Sequence, residues 1–197
     1  MERIVTRDLI LGSRVEEFSR LVSAGKFSDS SGDKLDTEAG VERILEQLHR
    51  AKESGKGVFF VGNGGSAAVA SHAVTDFLNK GELRASTLHD PALLTCMTND
   101  YGYEDAFARI LSVVARKGDM LFAISSSGQS VNIHNAVRCM QEIEGTTVSL
   151  SGFQEDNPLR LLGDLNFWID SGDYGFVEMG HLFLLHHIAD RFASEKK

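Results

Sequence analysis

The sequence predicts an α/β fold in which a parallel sheet is covered by helices on both faces. From residue 57 onward, short β-prone runs alternate with longer segments of helical periodicity. The runs 57–61 and 120–124 are almost continuously apolar, which is typical of parallel strands buried on both faces. Turns rich in glycine or serine follow both runs, as expected where a strand leads into a helix.

Length and charge narrow the class of protein. The chain has 197 residues, which fits one domain, and we expect an N-terminal helical region over 1–55 and an α/β core over 56–197. Apolar residues make up 42% of the chain and charged residues 24%, a balance that excludes wholesale disorder. The net charge of −8 comes without any basic block, so binding to nucleic acid is not expected.

The two cysteines, Cys96 and Cys139, are not arranged as a disulfide framework or with metal-ligand spacing, which favours a reducing compartment. Residues 1–8 are charged and lack the apolar core of a signal peptide. No apolar run approaches the roughly 20 residues of a membrane span. We therefore expect a cytoplasmic protein that does not associate with membranes.

The N-terminal region predicts two helices. The first covers 5–23 with loosely helical apolar spacing, and the segment 25–36 is polar and glycine-containing, which predicts a loop. The second helix is capped by Asp36 or Thr37 and carries an apolar stripe at Val41, Ile44, Leu45 and Leu48. These helices have little to bury against alone, so we expect them to pack on the core or on another subunit.

The core predicts alternating elements in chain order. Only two prolines occur, so long helices are permitted. Strands are predicted at 57–61, 83–88, 120–124, 146–150 and 165–169, and helices at 66–79, 91–98, 103–115, 130–144 and 176–194.

A glycine-rich turn, Val-Gly-Asn-Gly-Gly-Ser at 61–66, joins the first core strand to its helix. Glycines let the backbone approach a ligand closely, and the following helix N-terminus offers unpaired N–H groups. The spacing matches neither the dinucleotide fingerprint nor the P-loop. A tight turn without a ligand remains the alternative.

A serine-rich turn, Ser-Ser-Ser-Gly-Gln-Ser at 125–130, stands at a second strand-to-helix junction. Its hydroxyls and the helix N-terminus suit a phosphate group without lysine or arginine. Simple N-capping is the alternative, but one serine would suffice for a cap. In an open parallel sheet, ligands bind at the carboxyl ends of strands, where both turns fall.

Two helices carry side chains that could bind metal. His72 and Asp76 are four residues apart and share a helix face, so they could hold zinc, or set a base beside an acid, or form a solvated pair. Glu178 and His186 share a broad face of the last helix. His181 and His187 are interpreted as ordinary core or surface histidines.

Together these motifs resemble a known family. The turn at 62–66, the downstream His72, the segment Asn-Asp-Tyr-Gly-Tyr-Glu at 99–104, the serine turn and the late Gly180-His181 with His186 resemble, in this order, the sugar isomerase (SIS) domain. The phosphoheptose isomerase branch is the most similar, over about residue 40 to the C-terminus.

The resemblance implies a three-layer sandwich with a five-stranded parallel sheet, one SIS domain over 1–197, and N-terminal helices in an oligomer interface. It implies a homotetramer with sites at subunit interfaces and one Zn²⁺ per site. The implied activity is aldose–ketose isomerisation of sedoheptulose 7-phosphate to glycero-manno-heptose 7-phosphate, for the heptose of bacterial surface glycans.

The resemblance also assigns residues. The position of the family's catalytic glutamate holds Asp76, and the position of its glutamine ligand holds Glu178. The implied metal ligands are His72, Asp76, Glu178 and His186, with Asp76 as base and His186 as its acid–base partner. The implied substrate contacts are Asn63, Gly64, Ser66, Asp90, Asn99, Ser125, Ser126, Ser127 and Ser130.

Two alternatives stay open from sequence. The chain could be a non-catalytic SIS protein that binds a sugar phosphate and acts through protein contacts, as one that assists replication initiation does. It could also isomerise another sugar phosphate, because the configuration of the hydroxyls is recognised by geometry that the sequence does not display.

Overall fold

A seven-stranded sheet organises the computed structural model, which describes residues 9–195. The strand order is β2-β1-β7-β6-β5-β3-β4. The strands are β1 (Lys26–Asp29), β2 (Lys34–Leu35), β3 (Gly57–Gly62), β4 (Arg84–Thr87), β5 (Met120–Ser125), β6 (Thr146–Ser151) and β7 (Leu165–Trp168).

Strands β3 to β7 are the five parallel strands that the sequence predicts, and their pairings are all parallel. Every residue of β5 is buried, which explains its continuous apolar run. Phe60 of β3 stacks on Phe122 of β5 with ring centroids 4.7 Å apart. This pairing fixes the register that brings the ends of β3 and β5 together.

Helices cover both faces of the sheet. One buried cluster packs α2, α3 and α7 against it, and a second packs α5 and α6 on the other face. The helices are α1 (Leu11–Ser23), α2 (Thr37–Glu53), α3 (Gly65–Asn79), α4 (Pro91–Tyr101), α5 (Ala106–Val114), α6 (Val131–Glu142) and α7 (Tyr174–Ser194), with a 3₁₀ turn at Pro158–Leu161. The three-layer prediction is confirmed.

The loop prediction for 25–36 is wrong, because this segment forms the hairpin of β1 and β2. Strand β1 pairs antiparallel with β7, with Phe27 opposite Phe167. Phe27 is fully buried, and its ring lies 4.8 Å from that of Phe167. A polar segment with one buried aromatic is a strand here because β7 offers it a free edge, which is a non-local cause.

Helix ends also differ from prediction. Of the helix predicted over 5–23, residues 5–8 lie outside the described residues, as does the charged segment at 1–8, and α1 begins at Leu11. Helix α7 begins two residues earlier than predicted because the side chain of Asp173 accepts hydrogen bonds from the N–H groups of Gly175 and Phe176. No helix within residues 9–195 is long and apolar enough to cross a membrane.

Candidate active site

The two predicted turns meet in one cleft of about 230 Å³ at the carboxyl ends of β3 and β5. Serine hydroxyls and the N-terminus of α3 dominate its walls, and no lysine or arginine among residues 9–195 lines it. The lining residues are Asn63, Gly64, Gly65, Ser66, Ser125, Ser126, Ser127, Ser130, Tyr174 and Glu178.

The glycine turn depends on backbone shapes that other residues would strain. Gly64 has φ +53° and stands at the N-cap of α3, a conformation that favours glycine. A Cβ at Gly62 would lie 2.6 Å from the backbone carbon of Ser66. The first turn of α3 therefore folds directly back over the strand end, and its residues Gly65 and Ser66 line the cleft.

The hydroxyl groups of the serine turn do not cap helix α6, which follows the turn. Ser130 is the N-cap residue of α6, but its side chain makes no capping hydrogen bond. Its hydroxyl instead accepts from Ser125 at 3.2 Å, and the hydroxyls of Ser66 and Ser126 lie 3.4 Å apart. Because these long contacts only link hydroxyls to one another, the group can turn towards an anion in the cleft.

An amide pair joins the two turns. Asn63 and Asn132 exchange two hydrogen bonds of 2.9 Å, and the hydroxyl of Tyr103 donates to Oδ1 of Asn63 at 2.7 Å. Asn132 is 3% exposed. Neither Asn132 nor Tyr103 was predicted as a site residue. The only sequence signals for them are that Asn132 closely follows Ser130 and that Tyr103 belongs to the segment 99–104.

A second group forms on the facing surfaces of α3 and α7. Ligand atoms of His72, Asp76 and His186 all lie within 4.8 Å of one another. Oδ2 of Asp76 is 2.5 Å from Nδ1 of His186, and the His72 and His186 rings are 4.8 Å apart. The structure thus brings together three of the four predicted metal ligands.

Lys80 and His186 flank the carboxylate of Asp76. Its Oδ1 lies 3.3 Å from Nζ of Lys80, which also binds Asp190 at 2.8 Å. The Asp76 side chain is 14% exposed. Its two oxygens are therefore directed separately, one towards an ammonium group and one towards an imidazole.

Glu178 lies in the cleft and outside the His–Asp group. Its Oε2 would be 2.1 Å from a Cβ at Gly65, so a glycine at the start of α3 is what admits this side chain. Burial raises the pKa of Glu178. His186 lies eight positions further along α7, about 12 Å along the helix axis.

The other histidines have separate environments. His181 is fully buried, and its Nε2 donates to the carbonyl of Ser151 at 3.0 Å. Burial lowers its pKa to about 4, so it is a neutral core residue, as predicted. His187 is exposed. His89, after β4, accepts the N–H of Gly62 at 3.3 Å, and burial lowers its pKa.

Asp90 and Asn99, predicted as sugar contacts, do not line the cleft. Asp90 caps α4 by accepting from the N–H of Leu93 at 2.9 Å, and Asn99 donates to its neighbour Asp100. Tyr174, which was not predicted, does line the cleft. The signal for it was its place just after the last parallel strand.

The chemistry of the His–Asp group fits a divalent cation. Two imidazoles and one carboxylate are the donors that zinc prefers, and three protein ligands leave a fourth position open. In the part of the chain that the structure describes, this is the one cluster of at least three such donors that could hold a metal ion.

Comparison with known proteins gives the family. A profile described as the SIS domain matches residues 32–152. The chain belongs to the SIS domain family. Phosphoheptose isomerase of Geotalea daltonii is 31% identical over 183 residues, covering 89% of this chain and 94% of the relative. That of Mycobacterium tuberculosis is 35% identical over 75% of this chain and 78% of its own, which places the chain in the phosphoheptose isomerase branch.

Solved structures agree on the fold. Phosphoheptose isomerases from Neisseria gonorrhoeae and Francisella tularensis match with TM-scores of 0.80 at 24% and 23% identity, covering 93% and 94% of this chain and 96% of each of theirs. The Vibrio vulnificus NanR protein, described as complexed with ManNAc-6P, matches at 19% identity with a TM-score of 0.69, over 94% of this chain and 61% of its own. At these identities the likeness concerns the SIS fold alone.

Proposed function

We propose that this SIS protein is an aldose–ketose isomerase that converts sedoheptulose 7-phosphate to glycero-manno-heptose 7-phosphate. One observation carries the proposal. A cleft lined by serine hydroxyls and the His–Asp group lie along the same pair of helices, α3 and α7. The cleft suits the phosphate of a sugar phosphate, and the group suits proton transfer at its carbonyl end.

The phosphate end is bound by neutral donors. The hydroxyls of the serine turn and the N–H groups at the start of α3 and α6 would donate to phosphate oxygens. The helix dipoles favour the negative charge, so no lysine is needed. The role of these contacts is to hold the substrate while its other end reacts.

The carbonyl end needs two proton transfers. Asp76 would take a proton from C1 of the ketose and return it to C2, through an enediol. His186 would deliver a proton to O2 and accept the one that leaves O1. The 2.5 Å contact between Oδ2 of Asp76 and Nδ1 of His186 places the base and its acid–base partner side by side.

A zinc ion is proposed at the same group, with His72, Asp76 and His186 as ligands. Because a carboxylate cannot be a tight ligand and a free base at once, Asp76 would have to change its coordination when it acts as the base. When bound, zinc would polarise the substrate carbonyl. Glu178 remains the predicted fourth ligand. Since about 12 Å of helix separates it from His186 in one chain, a Glu178 ligand would come from a neighbouring subunit, which agrees with sites at subunit interfaces.

Association into a homotetramer is part of the proposal. Apolar side chains of α1 and α7 are exposed in one chain, and an apolar cleft of about 340 Å³ runs between these helices. Such surface is typical of protein interfaces. We place the enzyme in the cytoplasm, where its product would supply the heptose of bacterial surface glycans.

Proton NMR of sedoheptulose 7-phosphate with zinc-loaded protein tests the activity. The expected result is the anomeric signal of an aldose phosphate, absent from samples with an Asp76→Asn variant. No such signal from protein that binds zinc and the sugar phosphate would contradict the isomerase. That result would favour either an isomerase of another sugar phosphate or a non-catalytic SIS protein that binds sugar phosphates.

A further inference from the structure

The side chain of Asn63 is held by more contacts than its place in a turn requires. Its Oδ1 accepts two hydrogen bonds, from Tyr103 and from Asn132. Its Nδ2 donates to Oδ1 of Asn132. A carbonyl oxygen has two lone pairs, so the acceptor capacity of this amide is filled within the protein.

What remains of the Asn63 amide is one N–H hydrogen. It has no partner among residues 9–195, and Asn63 lines the cleft together with the serines. An amide that could turn freely would present its oxygen to the cleft half of the time. Filling that oxygen leaves only the donor, which suits an anionic oxygen and disfavours a hydroxyl that needs an acceptor.

We propose that Asn132 and Tyr103 are positioning residues that lock the Asn63 amide with its N–H towards a phosphate oxygen in the cleft. Each comes from a different part of the chain: Asn132 from the first turn of α6 and Tyr103 from the loop between α4 and α5. The two together tie the glycine turn to the serine turn. This inference rests on the phosphate site of the proposed function, and not on isomerisation.

The test uses Tyr103→Phe, which removes only a hydroxyl from a half-exposed ring. Inorganic phosphate is titrated into the full-length protein, and its dissociation constant is measured from amide shifts of Ser66 and Ser126 by NMR. Tyr101→Phe is the matched control: this tyrosine is equally exposed, and its ring packs under Arg109. We expect Tyr103→Phe to weaken phosphate binding by about two- to fivefold and Tyr101→Phe to leave it unchanged.

A double-mutant cycle distinguishes positioning from general stability. If Tyr103 acts through Asn63, Tyr103→Phe has no further effect in an Asn63→Ala background. The same holds for Asn132→Ala, whose folding is checked by the dispersion of the amide spectrum. An equal loss in both backgrounds, unchanged affinity in Tyr103→Phe, or no phosphate binding by the unmodified protein would each overturn the proposal.

The outcome is separable from that of the isomerase test, since phosphate binding needs no turnover. If the protein produces no aldose but the variants show the non-additive loss of phosphate affinity, the positioning role stands and the isomerase proposal fails. If the protein isomerises the heptose phosphate but the Tyr103→Phe variant binds phosphate normally, the isomerase proposal stands and the positioning role fails.

Discussion

Asp76 is held so that each of its two carboxylate oxygens has its own partner. Lys80 faces one oxygen at 3.3 Å and His186 the other at 2.5 Å. Aspartate is one methylene shorter than glutamate, and the facing imidazole on α7 nevertheless lies within 2.5 Å of it. The structure supplies this closeness by packing α3 directly against α7.

Replacing Asp76 by asparagine should lower turnover by about a hundredfold or more, because general acid–base catalysis contributes on that order. Asp156→Asn, at an exposed aspartate outside the cleft, is the control. The rate of aldose formation and the zinc content are measured for both. Full turnover by the Asp76 variant would remove this carboxylate from the proposed chemistry.

Glu178 places a carboxylate in a cleft that we assign to phosphate. Above its raised pKa the group is charged, so Glu178→Gln should tighten binding of inorganic phosphate by about threefold near pH 8. As the pH falls through the pKa of Glu178, the carboxylate is neutralised and the two affinities should converge. A constant affinity ratio between pH 4 and 8 would show that the charge does not reach the ligand.

His181 should make the protein sensitive to acid. Its pKa is about 4 in the folded chain and about 6.5 when unfolded. Between these values only the unfolded state takes up the proton, so stability falls as the pH drops, by about 3 kcal/mol in full. Urea unfolding of wild type and His181→Asn at pH 4.5 and 7 should show a smaller pH effect in the variant.

Site residues with a distinctive local pattern were predictable, and those recruited by the fold were not. The glycine turn, the serine turn and the His72–Asp76 pair are recognisable because their chemistry depends on neighbours in sequence. Tyr174 lines the cleft and Asn132 contacts Asn63 only because separate strands end side by side. Nothing in the spacing of 178 and 186 tells which of them stays with His72.

At the level of elements, packing determines the secondary structure where the sequence pattern does not predict it. The five core strands and their helices follow from apolar runs and periodicity, and the predictions for them are confirmed. The β1–β2 hairpin does not follow from such a pattern, because its single buried aromatic, Phe27, is held by partners on α2 and β7. Gly40 on α2 touches this ring: a Cβ there would lie 2.3 Å from Phe27.

Gly40→Ala should therefore destabilise the protein by about 1–3 kcal/mol, as overpacking of a core does. In an open helix the same change stabilises, by up to about 1 kcal/mol. Gly12→Ala in α1, where an added Cβ meets nothing within 4 Å, is the matched control. Urea unfolding gives both values, and equal midpoints for the two variants would contradict this close packing.

At the scale of the whole molecule, the exposed side chains of α1 and α7 form the surface through which the proposed tetramer would associate. Val15 and Phe183 are more than half exposed, although both are large and apolar. The salt bridge of Arg14 to Asp173 at 2.9 Å, with the guanidinium 3.6 Å from the centre of the Phe176 ring, fastens α1 to the start of α7. Both helices thus carry exposed apolar surface, and a cleft lined by residues of both helices runs between them.

Charged residues on that surface should separate the subunits. We expect sedimentation of the wild type as a tetramer and of the double variant Val15→Asp, Phe183→Asp as smaller species with reduced isomerase activity. Leu161→Asp, at an apolar residue of the 3₁₀ turn that is 69% exposed and belongs to neither helix, is the control. A wild type that sediments as a stable monomer at micromolar concentration would contradict sites shared between subunits.

The hairpin also determines what the sheet shows at its borders. Without it, β7 would be an open edge made of four buried residues, a template for pairing with strands of other chains. With it, one border is β2, which is two residues long and carries Lys34, and the other is β4, which begins with Arg84. Short, basic borders resist edge-to-edge aggregation. A polar segment that looks like a loop thus protects the sheet of this chain from polymerising through its strands.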